Sequence, residues 1–385
     1  MSSMWGIDPG LIYLNHGSFG PTPRMVRESQ REWSRQMGAN PQEFLSRRFE
    51  GLLEETSKRL AENLGTVGDN LIPVENATQG MNLVAQALPL AAGDEVLLTT
   101  HEYGAVKRLW HKRSQARGAR LVQAPLPLPL ESSRQVVEAL LGYANERTRL
   151  IVVSHVTSPT ALVLPVEEIC RAARQRGIAV CVDGPHAIAM REVNLSRLDC
   201  DFYVASCHKW LSAPLGTGFL YVHPRWQAEM RPCIVSWGGT TCGRPPSWKD
   251  EFLWLGTRDA TGYLAIPAAW EFLQQYGLEK FRVETHDLAA YARERLLSWM
   301  RTEPLSADSQ EWYGSMVSVP LPDTVDVPKT WTGLPHPLQT RLAEQYRIEV
   351  PLMKWGHRMY IRVSCHLYNE ASQIDRLCDV LRRLL

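Results

Sequence analysis

The chain lacks what would mark it as a nucleic-acid binder, a membrane protein or a disulfide-stapled scaffold. Lysines and arginines number 42 against 41 aspartates and glutamates. Such balance argues against a nucleic-acid footprint or a basic membrane-binding face. No apolar run approaches the roughly 20 residues needed to span a bilayer. The opening Met1-Ser2-Ser3-Met4-Trp5-Gly6 has neither the basic leader nor the apolar core of a signal peptide. The eight cysteines form no Cys-x-x-Cys pair, and Cys170, Cys181 and Cys378 fall inside apolar patterns. Buried free thiols in a reducing cytoplasm are therefore expected, with no disulfide framework and no metal site. No Gly-x-Gly-x-x-Gly turn follows the first strand, which removes support for a dinucleotide-binding dehydrogenase. There is no internal repeat, low-complexity tract or appended DNA-binding module.

What the chain has is length and apolar patterning. Its 385 residues, 44% of them hydrophobic, are enough for more than one core. Apolar runs over 95–100, 119–124, 150–155, 178–182 and 201–205 read as strands, and helical patterns over 105–117, 136–144 and 166–176 separate them. Continuous β-branched runs alternating with helices predict an α/β fold with a parallel sheet covered on both faces. Asn40-Pro41 has the form of a helix start, and Leu45, Phe49, Leu52, Leu53 and Leu60 continue an apolar stripe. Two long helices are expected over 260–276 and 278–300, and a last one capped by Asn369. Short strands and Pro-rich loops in 303–366 suggest a smaller α+β domain.

Ligands of parallel sheets gather at the carboxyl ends of the strands. Two such ends carry reactive groups, Asp183 in Val182-Asp183-Gly184-Pro185-His186 and Lys209 in Ser206-Cys207-His208-Lys209-Trp210. An amine and a carboxylate at one sheet edge are what a pyridoxal phosphate site requires. The lysine forms a Schiff base, and the carboxylate keeps the ring nitrogen protonated so that the ring accepts electrons from a substrate carbanion. Each has an ordinary reading too, a solvated loop lysine and a turn or capping aspartate. Asn76-Ala77-Thr78-Gln79-Gly80 lies between a strand-like piece and a helix over 81–88. It is either a phosphate cradle of backbone amides and the Thr78 hydroxyl, or a simple helix cap at Asn76 or Thr78.

Taken in order, these segments resemble one family. Tyr13-Leu14-Asn15-His16-Gly17-Ser18-Phe19-Gly20, Asn76 to Gly80, His101-Glu102-Tyr103-Gly104, Asp183 to His186 and Ser206 to Lys209 are similar to motifs of fold-type I pyridoxal phosphate enzymes of the class V aminotransferase group. Gly256-Thr257-Arg258-Asp259, Ile348-Glu349-Val350-Pro351 and Ile361-Arg362-Val363-Ser364 continue the match, most like the isopenicillin N epimerase-like subgroup. The resemblance implies a large domain over 21–258 with a mainly parallel seven-stranded sheet. An arm over 1–20 and a small domain over 259–385 would complete it.

It also implies pyridoxal 5'-phosphate as cofactor and assigns roles. Lys209 would be the catalytic lysine and Asp183 the partner of the ring nitrogen. Tyr103 would stack over the ring, its alternative being ordinary packing. Ala77, Thr78, Gln79, Ser206 and His208 would line the phosphate site, and His186 would reach the phenolic oxygen unless it is a satisfied core histidine. Thr257 would reach the phosphate of a neighbouring subunit, so a homodimer with shared sites is implied. Arg362 would grip the substrate α-carboxylate, with structural ion pairing as the alternative. Asn15 and His16 would be substrate-side residues.

The interval 349–357 holds no cysteine, which disfavours desulfuration through a persulfide. Three outcomes stay open for an amino-acid or amino-acid-derived substrate: epimerisation, transamination and C–S lysis. Epimerisation, the outcome the subgroup resemblance favours, needs proton carriers on both faces of Cα. Lys209 serves one, and Tyr103, His101 and His16 are candidates for the other. A binding protein without turnover is the remaining alternative.

Overall fold

The structure is a computed structural model describing residues 4–239, 247–328 and 335–385. A two-residue strand, β1 (Ile12–Tyr13), opens the chain. The strands β2 (Leu71–Val74), β3 (Glu95–Thr99), β4 (Arg120–Ala124), β5 (Thr148–Ser154), β6 (Ala179–Asp183), β7 (Phe202–Ser206) and β8 (Gly218–Val222) then form one sheet, ordered β2-β8-β7-β6-β5-β3-β4. Pairings among β7, β6, β5, β3 and β4 are parallel, whereas β8 runs against both neighbours. The α/β architecture is as expected.

The sheet is buried because its strands are apolar on both sides. Val153, Val182 and Ala205 face one core and their chain neighbours Val152, Cys181 and Val204 the other, the two-residue period of a strand. Helices Gly104–Ala116, Ser133–Leu141 and Val166–Gln175 connect the parallel strands. Because these strands run parallel, they all end at the same edge of the sheet.

Four more strands, β9 (Met316–Pro320), β10 (Ile348–Glu349), β11 (Leu352–Trp355) and β12 (Arg358–Ser364), lie beyond the long helix Leu278–Met300. Three form an antiparallel sheet ordered β11-β12-β9, and β10 pairs in parallel with β1. Asn15 extends this contact by bridging Ser364. The N-terminal segment is thereby laid across β12, directly over the large sheet's carboxyl edge.

Three local expectations change. The helix expected over 260–276 is two, Thr261–Leu264 and Ile266–Tyr276, because Pro267 starts the second and cannot continue the first. The last helix, Ala371–Leu384, is capped by Glu370 in a capping box with Gln373. Asn369 instead donates to the Tyr13 carbonyl at 3.0 Å. The helix after β2 begins at Ala77, earlier than its apolar pattern suggests, since the Asn76 side chain accepts from the Gln79 amide at 3.0 Å. Asn40 does cap its helix start, accepting from the Glu43 amide at 3.1 Å, with Pro41 following. Among the described residues no helix is long and apolar enough to cross a membrane, and no cluster of side chains could hold a metal ion.

Candidate active site

Adjacent parallel strands deliver the amine and the acid. Asp183 ends β6 and is in register with Val204 of β7, so the loop carrying His208 and Lys209 starts beside it. Lys209 Nζ lies 3.1 Å from His186 Nε2. The Trp210 indole donates to His186 Nδ1 at 3.4 Å, which leaves the histidine's proton on Nε2. An ammonium can only donate, so the 3.1 Å contact requires a neutral Lys209 amine accepting from His186. The electrostatics agree: burial and the Arg362 charge push Lys209 well below the ordinary lysine range, against the pull of Asp183. A nucleophilic lysine needs that depression.

Asp183 is pushed upward by burial and by the nearby Glu102 carboxylate, opposed by Lys209. A buried acid is costly alone, and Asp183 fits a cationic ring nitrogen. Glu102, by contrast, is fully satisfied, accepting from Thr99 Oγ1 at 2.7 Å and Ser154 Oγ at 2.5 Å. Sequence reasoning gave Glu102 no role; its only signal was its place just past β3.

The second feature of the edge is a helix start. Ala77–Ala87 points its first turn at the loop after β7, and the Ala77 amide donates to Ser206 Oγ at 3.0 Å. Gly80 makes this approach possible, because a Cβ there would stand 3.1 Å from Val204 Cγ1. Gln79 is turned back, its Oε1 accepting from the Glu75 amide at 2.6 Å. Thr78 is exposed, so its hydroxyl and the helix's positive end are open to an anion. His208 Nδ1 is buried without a partner, and burial holds its imidazole down to about 4. An orphaned ring nitrogen beside a helix N-terminus fits a phosphate group.

Arg362 on β12 faces these groups from the opposite side. It is buried, donating from Nη1 to the Ser158 carbonyl at 2.8 Å and to Ser158 Oγ at 3.1 Å, and from Nη2 to Ser18 Oγ at 2.7 Å. Its Nε has no partner, and burial draws the guanidinium down to about 10. Among the described residues no carboxylate pairs with it, so the ion-pair alternative fails. Ser18 and Ser158 were missed in the sequence because serine carries no spacing signal. Asn15 Oδ1 is likewise buried and unpartnered.

The candidates for a second proton carrier separate. Tyr103, just before helix Gly104–Ala116, is 47% exposed and within electrostatic reach of Arg362. His101 is buried, with Nδ1 2.9 Å from Thr160 Oγ1 and its ring centre 4.3 Å from that of Trp355. His16, expected on the substrate side, has partners within the protein. Its Nδ1 meets the Tyr368 hydroxyl at 2.8 Å and its Nε2 the Lys209 carbonyl at 3.0 Å, so both nitrogens are taken. Thr257 is exposed, and no contact joins it to the Lys209 cluster of its own chain.

The isopenicillin N epimerase of Amycolatopsis lactamdurans is 38% identical over 98% of this chain and 96% of its own length. An L-cysteine desulfhydrase of Arabidopsis thaliana is 28% identical over 98% of this chain and 88% of its own. A structure of a C-DES mutant with glycine covalently linked to its PLP cofactor superposes with a TM-score of 0.83 at 22% identity, covering 99% of this chain and 98% of that one. The description of the class V aminotransferases matches residues 12–377. An amine, an acid and an anion cradle at one sheet edge, carried on that match, make the chain a pyridoxal phosphate-dependent enzyme of the class V aminotransferase family.

Proposed function

We propose that the protein is an isopenicillin N epimerase-like enzyme, inverting Cα of an amino acid or amino-acid-derived substrate. One observation carries the reading. Arg362 is a buried cation that no carboxylate pairs with among the described residues, and it is set opposite Lys209. A guanidinium so placed binds a carboxylate in two-point fashion and turns Cα toward the amine.

Pyridoxal phosphate, when bound, supplies a ring that accepts the electron pair left at Cα. The protein's own groups do the rest. Asp183 holds a proton at the ring nitrogen by its charge. Thr78, Ser206, His208 and the amides of the Ala77–Ala87 helix hold the phosphate. Lys209, kept neutral by burial, takes the Cα proton on one face. Tyr103 is assigned the opposite face, because it is half exposed and within electrostatic reach of Arg362, while His16 is engaged elsewhere and His101 is packed against Trp355. Ser18 and Ser158 fix the plane of the Arg362 fork, and Asn15 Oδ1 offers an acceptor on the substrate side. Thr257 is assigned to a partner subunit's phosphate, so a homodimer with shared sites belongs to this reading. Small-molecule substrates and a cytoplasmic location also belong to it, in keeping with seven free cysteines among the described residues.

C–S lysis is the second reading, favoured by the desulfhydrase relatives at 26–28% identity. Incubating the holoprotein with a panel of amino acids in heavy water separates the two. Deuterium at an inverted Cα supports epimerisation, while pyruvate with a released sulfur product replaces it by lysis. Keto acid with pyridoxamine phosphate would overturn both in favour of transamination.

A further inference from the structure

His16 sits 193 residues from Lys209 in the sequence, yet touches its peptide. A carbonyl only accepts, so the 3.0 Å contact puts the His16 proton on Nε2. Nδ1 must then accept, and the Tyr368 hydroxyl at 2.8 Å is the donor. One tautomer satisfies both contacts, with the Ser212 hydroxyl also 3.3 Å from the same Nε2. The ring cannot turn out of them. It is stacked on His366 at 3.9 Å and lies 5.3 Å from Trp210, while Trp5 packs edge-on against His366 and Tyr368. The Lys209 carbonyl also accepts from the Ser212 amide at 2.8 Å, closing a turn in which Ser212 takes a φ of +59°.

The backbone following His16 presses on the same peptide. A Cβ at Gly20 would lie 2.6 Å from the carbonyl oxygens of both His208 and Lys209, and 2.8 Å from His16 Nε2. At Gly17 it would lie 2.8 Å from Met316 Sδ and 3.5 Å from His186 Cε1. Segment 15–20 therefore meets the lysine loop, the histidine under its amine and, through Ser18, the Arg362 fork.

We infer that His16, held in its Nε2–H form by Tyr368, is a positioning residue for Lys209. Through the Lys209 carbonyl it keeps the amine seated on His186. The inference rests on the reading of Lys209 as the cofactor lysine. The charged and titratable groups facing that amine are His186, Asp183, Arg362 and His208, and none of them is altered by changes at His16 or Tyr368. Losing the clamp lets the amine leave its half-buried seat and regain the basicity of a solvated lysine.

The test is reductive methylation of the cofactor-stripped full-length protein from pH 6 to pH 10, following the Lys209 peptide by mass spectrometry. The wild type should be modified with a midpoint well below that of surface lysines. His16→Leu and Tyr368→Phe should raise the midpoint by about one pH unit or more. His16→Gln, whose amide can still donate to the carbonyl, should return most of the shift. A wild-type midpoint in His16→Leu, or no recovery in His16→Gln, overturns the clamp. Should His16→Leu fail to fold, Tyr368→Phe removes a single oxygen and decides alone: an unmoved midpoint there overturns it too. The underlying reading fails separately, and takes the inference with it, if holoprotein Lys209→Ala keeps the visible absorbance of a lysine-bound cofactor.

Discussion

Replacing Arg362 by lysine is the sharpest test of how this site holds its substrate, because it keeps the charge and removes the fork. In the wild type Ser158 and Ser18 take three N–H groups of the guanidinium, at 2.8, 3.1 and 2.7 Å, and fix its plane before substrate arrives. A carboxylate can then add or exchange two charge-assisted hydrogen bonds, each worth about 1.5–3 kcal/mol. Lysine is a point donor on a flexible stem, with no plane for the serines to fix. Losing one of the two bonds predicts a fall of roughly 10- to 150-fold in kcat/KM. Burial penalises either cation, so the fold is little changed. The assay compares an accepted amino acid with the corresponding amine lacking its carboxylate. The variant should lose its factor only with the amino acid. A loss under about threefold, or an equal loss on the amine, would refute the assignment of Arg362 to the carboxylate.

Asp183→Asn removes the charge that would hold a proton at the ring nitrogen, and kcat should drop by about 10²–10³-fold while the visible cofactor band persists; kcat near wild type would contradict its role. In Tyr103→Phe the ring cover stays and the hydroxyl goes. Deuterium exchange at Cα with retention should survive while inversion falls by at least about 10²-fold, measured by chiral chromatography; unchanged inversion would send the second proton elsewhere. Acid should destabilise the apoprotein through its buried neutral histidines. His16, His101 and His155 are each drawn by burial to about 3 from an ordinary 6.5. The unfolded chain therefore protonates first. The stability they contribute is complete above pH 6.5 and is lost as pH falls toward 3, at up to about 1.4 kcal/mol per unit for each. Urea midpoints should fall between pH 7 and pH 5, and replacing His155 by Gln should flatten the slope; an identical slope would show that other groups set it.

How much of this could be read from residues alone follows the range of the interactions. The sheet, and the placement of Asp183 and Lys209 at one edge, were legible because apolar runs and helix stops are local signals and because parallel strands must all end on one side. The split at Pro267 and the cap at Glu370 were within reach of local rules, but longer apolar stripes outweighed them. Asn369 looked like a cap because asparagine is a good one; its actual partner, the Tyr13 carbonyl, lies at the far end of the chain. The contacts of His16 were hidden for the same reason: its partners Lys209, Ser212 and Tyr368 come from both sides of the long helix Leu278–Met300, and nothing near His16 in sequence marks them. The serines around Arg362 share this origin, one from the N-terminal segment and one from the loop after β5. Each strand end supplies one reactive group, and that much is periodic and readable. What draws several of them together is that segment 15–20 meets the lysine loop, His186 and Arg362, and such a contact has no period for a sequence to reveal. The arm's residues should therefore tolerate change less than their exposed neighbours Asp8 to Gly10, even though both lie in the same irregular stretch.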